Sequence, residues 1–263
     1  METIKKLEML SKVNSDLSTQ FGAKHIELTL DCIEKVYFRN VLGFAVDAKT
    51  KKGLAKGYMT GILYLAPASL SGINICPKSS AGCRSACLFS AGRGRFYSVT
   101  RARIAKTLAM HFDTPRFHET IKKSIKSLLV KAKNAGYIPC VRLNGTSDIL
   151  WEKTSDIIQL FPEVQFYDYS KIVKRILWTI PSNYHLTFSL SESNDSDAKL
   201  ALSKGFNIAA VFHNVAPLEF FGFPVVNGDS TDLRFLDSKG CVVALKAKGA
   251  AKKDTSGFVR HAA

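Results

Sequence analysis

No apolar run in the chain approaches the roughly 18 residues that a bilayer-spanning helix needs, which excludes a helical membrane protein. Behind Met1 stands Glu2-Thr3-Ile4-Lys5-Lys6, with no apolar stretch of signal-peptide length, so a soluble cytoplasmic protein is expected. No internal repeat or low-complexity linker marks a domain boundary. Acidic residues are scarce: 22 Asp and Glu face 37 Lys and Arg, giving a net charge of +15 and a pI near 9.6. That balance suits a polyanionic partner such as nucleic acid, or an anionic cofactor or substrate. Also missing is the close C-x2-C pair of structural zinc sites. In a cytosolic chain, six cysteines argue for ligation or burial rather than disulfides.

What is present is enough for a substantial core, since 263 residues bury roughly 70–75% of the unfolded surface. The positive charge is concentrated. Residues 93–133 hold eleven Lys and Arg against Asp113 and Glu119, and the last 25 residues hold six against Asp254. The most informative stretch runs from Asn74 to Cys87. It places Cys76, Cys83 and Cys87 at C-x6-C-x3-C spacing, and Pro77 and Gly82 make it read as a loop. Three thiols in a polar loop can hold zinc with a fourth ligand. They can also hold a [4Fe–4S] cluster with one iron open. The bland reading, three packed cysteines without metal, fits the loop's Gly, Ser and Lys content less well.

Along the chain, residues 1–22 read as a peripheral helix or arm. His25–Leu30 and Lys35–Phe38 read as strands with Cys32 packed between them, residues 47–57 as a basic loop, and Tyr58–Ala66 as a buried strand. Ala91-Gly92-Arg93-Gly94-Arg95 offers backbone N–H groups and guanidinium forks to a phosphate, or is simply a helix-entry turn. Residues 97–111 read as helix. Asp113-Thr114-Pro115 then starts another, whose apolar face carries Phe117, Ile121, Ile125, Leu128, Leu129 and Ala132.

From Gly136 apolar strands alternate with helices. Strands are expected at 138–143, 164–167, 185–190, 208–212, 224–226 and 241–245, with helices near 150–160, 172–178 and 196–204. Six such units predict a partial or distorted TIM-like (β/α) barrel (residues 67–263) rather than a doubly wound sheet. Residues 1–66 form a helical and β-rich N-terminal extension or part of the barrel wall. Polar residues follow the strands, at the carboxyl edge where such folds build their sites.

Asp148, Asp168 and Asp229 each end a predicted strand there, as candidate general acids or bases. Helix capping is the alternative for Asp148 and Ser147. Arg93, Arg95, Arg142, Asn144, Lys171, Arg234, Lys246 and Lys248 are candidates for binding an anionic group. His213 ends a strand, while His25, His111, His118 and His261 have no supporting pattern. Cys140 and Cys241 lie inside strands and read as core.

The segments Gly57–Pro67, the cysteine loop, Arg142–Ile149, Phe166–Lys171, Asn227–Asp229, Asp232–Phe235, Lys246–Gly249 and Asp254–Val259 resemble the phage "gene 88 protein" family over about residues 50 to 260. Leu150 stands where that family often has Pro. The resemblance implies a phage or prophage origin, action in the host cytoplasm and a shared site, but no reaction. A looser, architectural resemblance is to radical S-adenosylmethionine enzymes, which place a three-cysteine loop at the head of a barrel. Their spacing is C-x3-C-x2-C, and their Gly-Gly-Glu-Pro segment is replaced here by Asn144–Asp148. This resemblance implies a [4Fe–4S] cluster with S-adenosylmethionine as cofactors; zinc is the alternative. The leading expectation is a metal- or Fe–S-dependent enzyme acting on nucleic acid or a nucleotide-like anion. A zinc-braced nucleic-acid-binding protein comes second. A DNA-modifying barrel like the tRNA-guanine transglycosylases comes third, because there the metal motif follows the catalytic strands.

Overall fold

The computed structural model describes residues 2–22, 27–44, 48–90, 92–213 and 215–261. It is a mixed α/β structure built on one sheet. Helix α1 (Glu2–Phe21) buries Leu10, Val13 and Leu17 and leaves Ile4 and Leu7 exposed. α2 (Leu30–Glu34) is capped by Thr29, whose hydroxyl accepts from the Cys32 N–H. A 3₁₀ turn (Lys35–Phe38), β1 (Leu42–Phe44), α3 (Ala48–Leu54) and β2 (Tyr58–Leu63) follow. α4 (Ala81–Ser85) and α5 (Tyr97–Phe112) precede α6 (Thr114–Asn134), which is capped by the Asp113 carboxylate accepting from the Arg116 N–H at 3.1 Å. Then come β3 (Ile138–Arg142), α7 (Trp151–Thr154), α8 (Ile157–Leu160), β4 (Gln165–Ser170), β5 (Tyr184–Ser189), α9 (Asp195–Ser203) and β6 (Ile208–Phe212). The chain closes with the hairpin β7 (Glu219–Phe220) and β8 (Phe223–Asn227), then β9 (Val242–Lys246) and β10 (Val259–Arg260).

Several expectations are corrected. Lys35–Phe38 is a 3₁₀ turn, because Val36 and Tyr37 are both buried against the same core, whereas strand neighbours point to opposite faces. Of the run His25–Leu30, residues 25 and 26 lie outside the described set, 27–29 are irregular, and Leu30 opens α2. The basic segment after Asp47, itself outside the described residues, is helix α3; Ala, Lys and Leu are good helix formers whatever their charge. The N-terminal part is therefore mainly helical. The helix expected over 150–160 is split in two, since Ser155 is extended (φ −153, ψ 164).

The strand order is β1-β2-β3-β4-β5-β6-β9-β8-β7. β2, β3, β4, β5, β6, β9 and β8 are mutually parallel, and β1 and β7 are antiparallel additions at the two ends. No pair joins those ends among the described residues. β2 pairs with β3, so the sheet runs across the boundary expected at residue 66. Alternation sets the faces. Val141, Phe166, Leu186, Phe188, Ile208 and Ala210 face the helices, where the α6 stripe is buried. On the other face Cys140 and Tyr167 pack under Leu233 and Phe235, while Ala209, Cys241 and Val243 pack with Tyr169, Val226 and Leu245. Cys140 and Cys241 are core, as expected.

One irregularity shapes the carboxyl edge. β5 pairs with β6 only at Phe188↔Ile208 and Ser189↔Ala209. Beyond that point β10 takes over the vacated edge of β6, pairing Val259↔Val211 and Arg260↔Phe212. Arg260 locks it there, donating to the Ser191 carbonyl at 2.7 Å and pairing with Asp195 at 2.5 Å. Among the described residues no helix is long and apolar enough to cross a membrane.

Candidate functional site at the carboxyl edge

Seven parallel strands bring their carboxyl ends to one edge, and the cysteine segment lies against it. The backbone ties are direct: the Asp148 N–H donates to the Ile75 carbonyl at 2.9 Å, and the Cys76 thiol lies 3.7 Å from the Thr146 carbonyl. The segment is not all loop. Ser80 caps α4 by accepting from the Cys83 N–H at 3.2 Å. Its hydroxyl donates to Glu192 Oε2 at 2.6 Å while the Gly82 N–H donates to Oε1 at 2.7 Å. Gly82 is required by close approach rather than by a turn. A Cβ there would fall 2.1 Å from Ser256 Oγ and 2.9 Å from the Glu192 carboxylate. The sequence reading counted Gly82 as a helix breaker and missed this docking against the chain's tail.

None of the three cysteines is in a disulfide, and all are partly buried. Burial pushes the Cys76 thiol up to about 11, and nearby Cys87, Asp148 and Cys83 add to that, against the Ala68 N–H donating to its sulfur at 3.3 Å. Burial also raises Cys87; Cys83 reinforces this, and Lys171 and Arg103 oppose it. Cys83 packs with Ala86, Phe258 and Val259. Near neutral pH Cys76 and Cys87 therefore hold their protons. Ligation would release those protons and end the Cys76 thiol's donation to the Thr146 carbonyl, while the Ala68 N–H could go on donating to the thiolate. Among the described residues no three His, Cys, Asp or Glu side chains converge in metal-holding geometry. The donor set itself, three thiols in a half-buried segment, suits zinc or an iron–sulfur centre.

Two of the three candidate acids, Asp148 and Asp168, sit in one buried network, and the third stands apart. Asp168 is inside β4, not at its end, and is 1% exposed. It accepts from the Asn144 N–H at 2.8 Å and the Tyr184 hydroxyl at 2.9 Å, and burial raises it to about 6 against the pull of Arg142. Asp148 does not cap α7, whose N-cap is Leu150. It accepts from Ser170 Oγ and the Lys171 N–H, both at 2.8 Å, and pairs with Arg175 at 3.3 Å. Asp229 is apart from both: it pairs with Lys248, accepts the Lys246 N–H at 2.8 Å, and its carbonyl takes the Lys52 ammonium at 2.5 Å.

Several expected anion binders are already engaged. Arg142 pairs with buried Asp232 at 2.6 Å and lies over the Tyr169 ring. Arg234 is fully buried beside Asp237 at 3.3 Å. Asn144 is a hub: its Oδ1 accepts from Ser147, Ile149 N–H and Trp151, so it fixes the loop after β3. Lys171 faces the edge, donating to Ser189 Oγ at 2.8 Å beneath Phe258. Arg93 and Arg95 fall in a 3₁₀ turn, and their side chains lie outside the described set. His213 stacks on His261 at 4.4 Å with Nε2 3.2 Å from the Asp254 carbonyl. His118 lies against Trp151, His111 against Phe112, and His25 outside the described residues.

Sequence reasoning missed Arg175, Glu152 and Tyr184, which tie Asp148 to Asp168 through a bidentate Arg175–Glu152 pair (2.8 and 2.7 Å) and the Tyr184 hydroxyl. It also missed Glu192, Arg103 and the β10 latch. Beyond the parallel core, a cleft of about 420 Å³ opens over the ends of β6, β9 and β8, with Phe212, Ala216 and Val225 below and Asp229 and Lys246 at its rim. A family model described as Gene product 88 matches residues 41–262. The comparisons with curated proteins and with solved structures found no match.

Proposed function

The chain belongs to the Gene product 88 family, and from that premise we propose that it is a phage-encoded, metal- or iron–sulfur-dependent enzyme acting on nucleic acid or a nucleotide-like anion. The observation that carries this reading is the placement of the three-cysteine segment against the carboxyl edge, tied there by the Asp148 N–H on the Ile75 carbonyl and by Cys76 against the Thr146 carbonyl. A three-thiolate centre supplies a Lewis acid or an electron carrier with an open position. In this proposal the chain's own residues do the rest. Glu192 and the tail orient α4, and Asp148 holds the Lys171 backbone so that its ammonium faces the edge. The cleft over β6, β9 and β8 offers an apolar floor for a base and Lys246 for its phosphate. The sheet is read as part of a TIM-like barrel wall, and the more specific version of the cofactor is a [4Fe–4S] cluster with S-adenosylmethionine.

A second reading, a nucleic-acid-binding protein braced by zinc, draws support from the way α4 is packed into the tail by Ala86, Phe258 and Val259. Anaerobic purification with metal and sulfide analysis separates the two. Brown protein with about four irons per chain supports the cluster enzyme. Colourless protein with one zinc per chain supports the brace and defeats the radical-chemistry version.

A further inference from the structure

Four arginines are less than a tenth exposed: Arg103, Arg142, Arg175 and Arg234. Three have a carboxylate, namely Arg142 with Asp232, Arg175 with Glu152 and Arg234 with Asp237. Arg103 has none within ion-pair distance among the described residues. It is 8% exposed, and its Nε and Nη1 are buried without a hydrogen-bond partner. A buried guanidinium lacking a counter-charge is costly, and orphaned N–H groups add to the cost. Its contact with the Tyr64 ring, 5.0 Å away, offsets only part of this. Burial lowers its pKa accordingly.

The surroundings indicate what is missing. Tyr64 leaves β2 at the carboxyl edge, and Arg103 rises from α5 toward Cys87, which also feels Lys171. The chain bends tightly over the guanidinium. A Cβ on Gly94 would fall 2.2 Å from the Phe89 carbonyl oxygen, so the turn itself requires glycine, and 3.5 Å from Arg103 Nη1, an ordinary contact distance that places the turn against the guanidinium. We propose that Arg103, seated on Tyr64, binds an oxyanion group, phosphate or carboxylate, of the molecule that occupies the edge beside Cys87. This deepens the proposed function by naming the group its substrate or cofactor presents, and it rests on that reading only for the ligand lying next to the thiols.

The test uses the full chain, with inorganic phosphate and acetate as probes and chloride at matched ionic strength. Melting temperature and calorimetric titration are read for the wild type, Arg103→Gln, and Lys126→Gln as an exposed control on α6. The wild type should show a saturable rise with at least one probe; phosphate alone identifies a phosphate ligand and acetate alone a carboxylate. Arg103→Gln should weaken that affinity tenfold or more, and Lys126→Gln should not. Absence of a saturable effect in the wild type, or an effect that survives Arg103→Gln, would overturn the proposal. Should Arg103→Gln fail to fold, phenylglyoxal labelling of the wild type replaces it: phosphate or acetate must protect Arg103, and unchanged labelling counts against the site. Metal content is measured in every sample. An Arg103-dependent anion effect in metal-free protein would uphold this site while the metal reading fell, and metal-loaded protein without an anion effect would do the reverse.

Discussion

Arg175 is the cation that joins the buried carboxylates of the edge. It spans Glu152, Asp148 and Tyr184, and Tyr184 in turn holds Asp168. Arg175→Met should cost about 3–5 kcal/mol in urea denaturation, because it strands buried carboxylates, and Arg175→Lys should recover little since an ammonium cannot reproduce the fork. A loss below about 1 kcal/mol would show that the network is not a structural unit. Acid pH probes two other residues with opposite sign. Burial, with Arg234 and Lys239 nearby, lowers His185 from 6.5 to about 4. Between those values the unfolded chain binds a proton that the folded chain refuses, so stability falls as pH drops through that window. Asp168, raised from 3.8 to about 6, does the reverse: folded protein takes up the proton first, and this contribution grows as pH falls through that range. His185→Phe should therefore flatten the acid loss between pH 6.5 and 4, and Asp168→Asn should steepen it. Parallel urea midpoints measured across this range would contradict the assignment if neither variant changed the slope.

At the scale of elements, α4 is held from outside by Glu192 and Ser256 rather than by its own five residues. Glu192→Ala should speed iodoacetamide modification of Cys83 several-fold while fully buried Cys140 stays unreactive, and equal Cys83 rates would show that the clamp does not order the helix. Elements were legible where local signals agreed. For α6, Asp113, Pro115 and the stripe from Phe117 to Ala132 all say helix, and the structure follows them. The strands from Ile138 onward were equally plain. Lys35–Phe38 misled because Val, Tyr and Phe favour strands and cores alike, and only tertiary packing decides between the two. Asp168 looked like a strand end because buried Asp is rare; its partners Asn144 and Tyr184, 24 and 16 residues distant, are visible only once the sheet is formed.

For the whole molecule, the tail completes the edge. β10 fills the gap between β5 and β6, and Phe258 and Val259 pack against Ala86 and Cys83. A chain ending at Asp254 should melt lower and expose Cys83 to alkylation, and an unchanged melt would mean the latch is dispensable. The sequence made the order of helices and strands readable, along with the gathering of polar residues after them. It could not convey which polar residues face each other, since partners such as Arg142 and Asp232 or Asp148 and Arg175 lie 90 and 27 residues apart. The central claim, that Cys76, Cys83 and Cys87 form one ligating set, is tested most directly by metal and sulfide content after anaerobic purification. Single Ser variants of these three are compared with Cys32→Ser and Cys140→Ser. The account predicts a stoichiometric metal in the wild type and both controls and its loss in each of the three variants. Metal-free wild type, or content that survives all three substitutions, would contradict it.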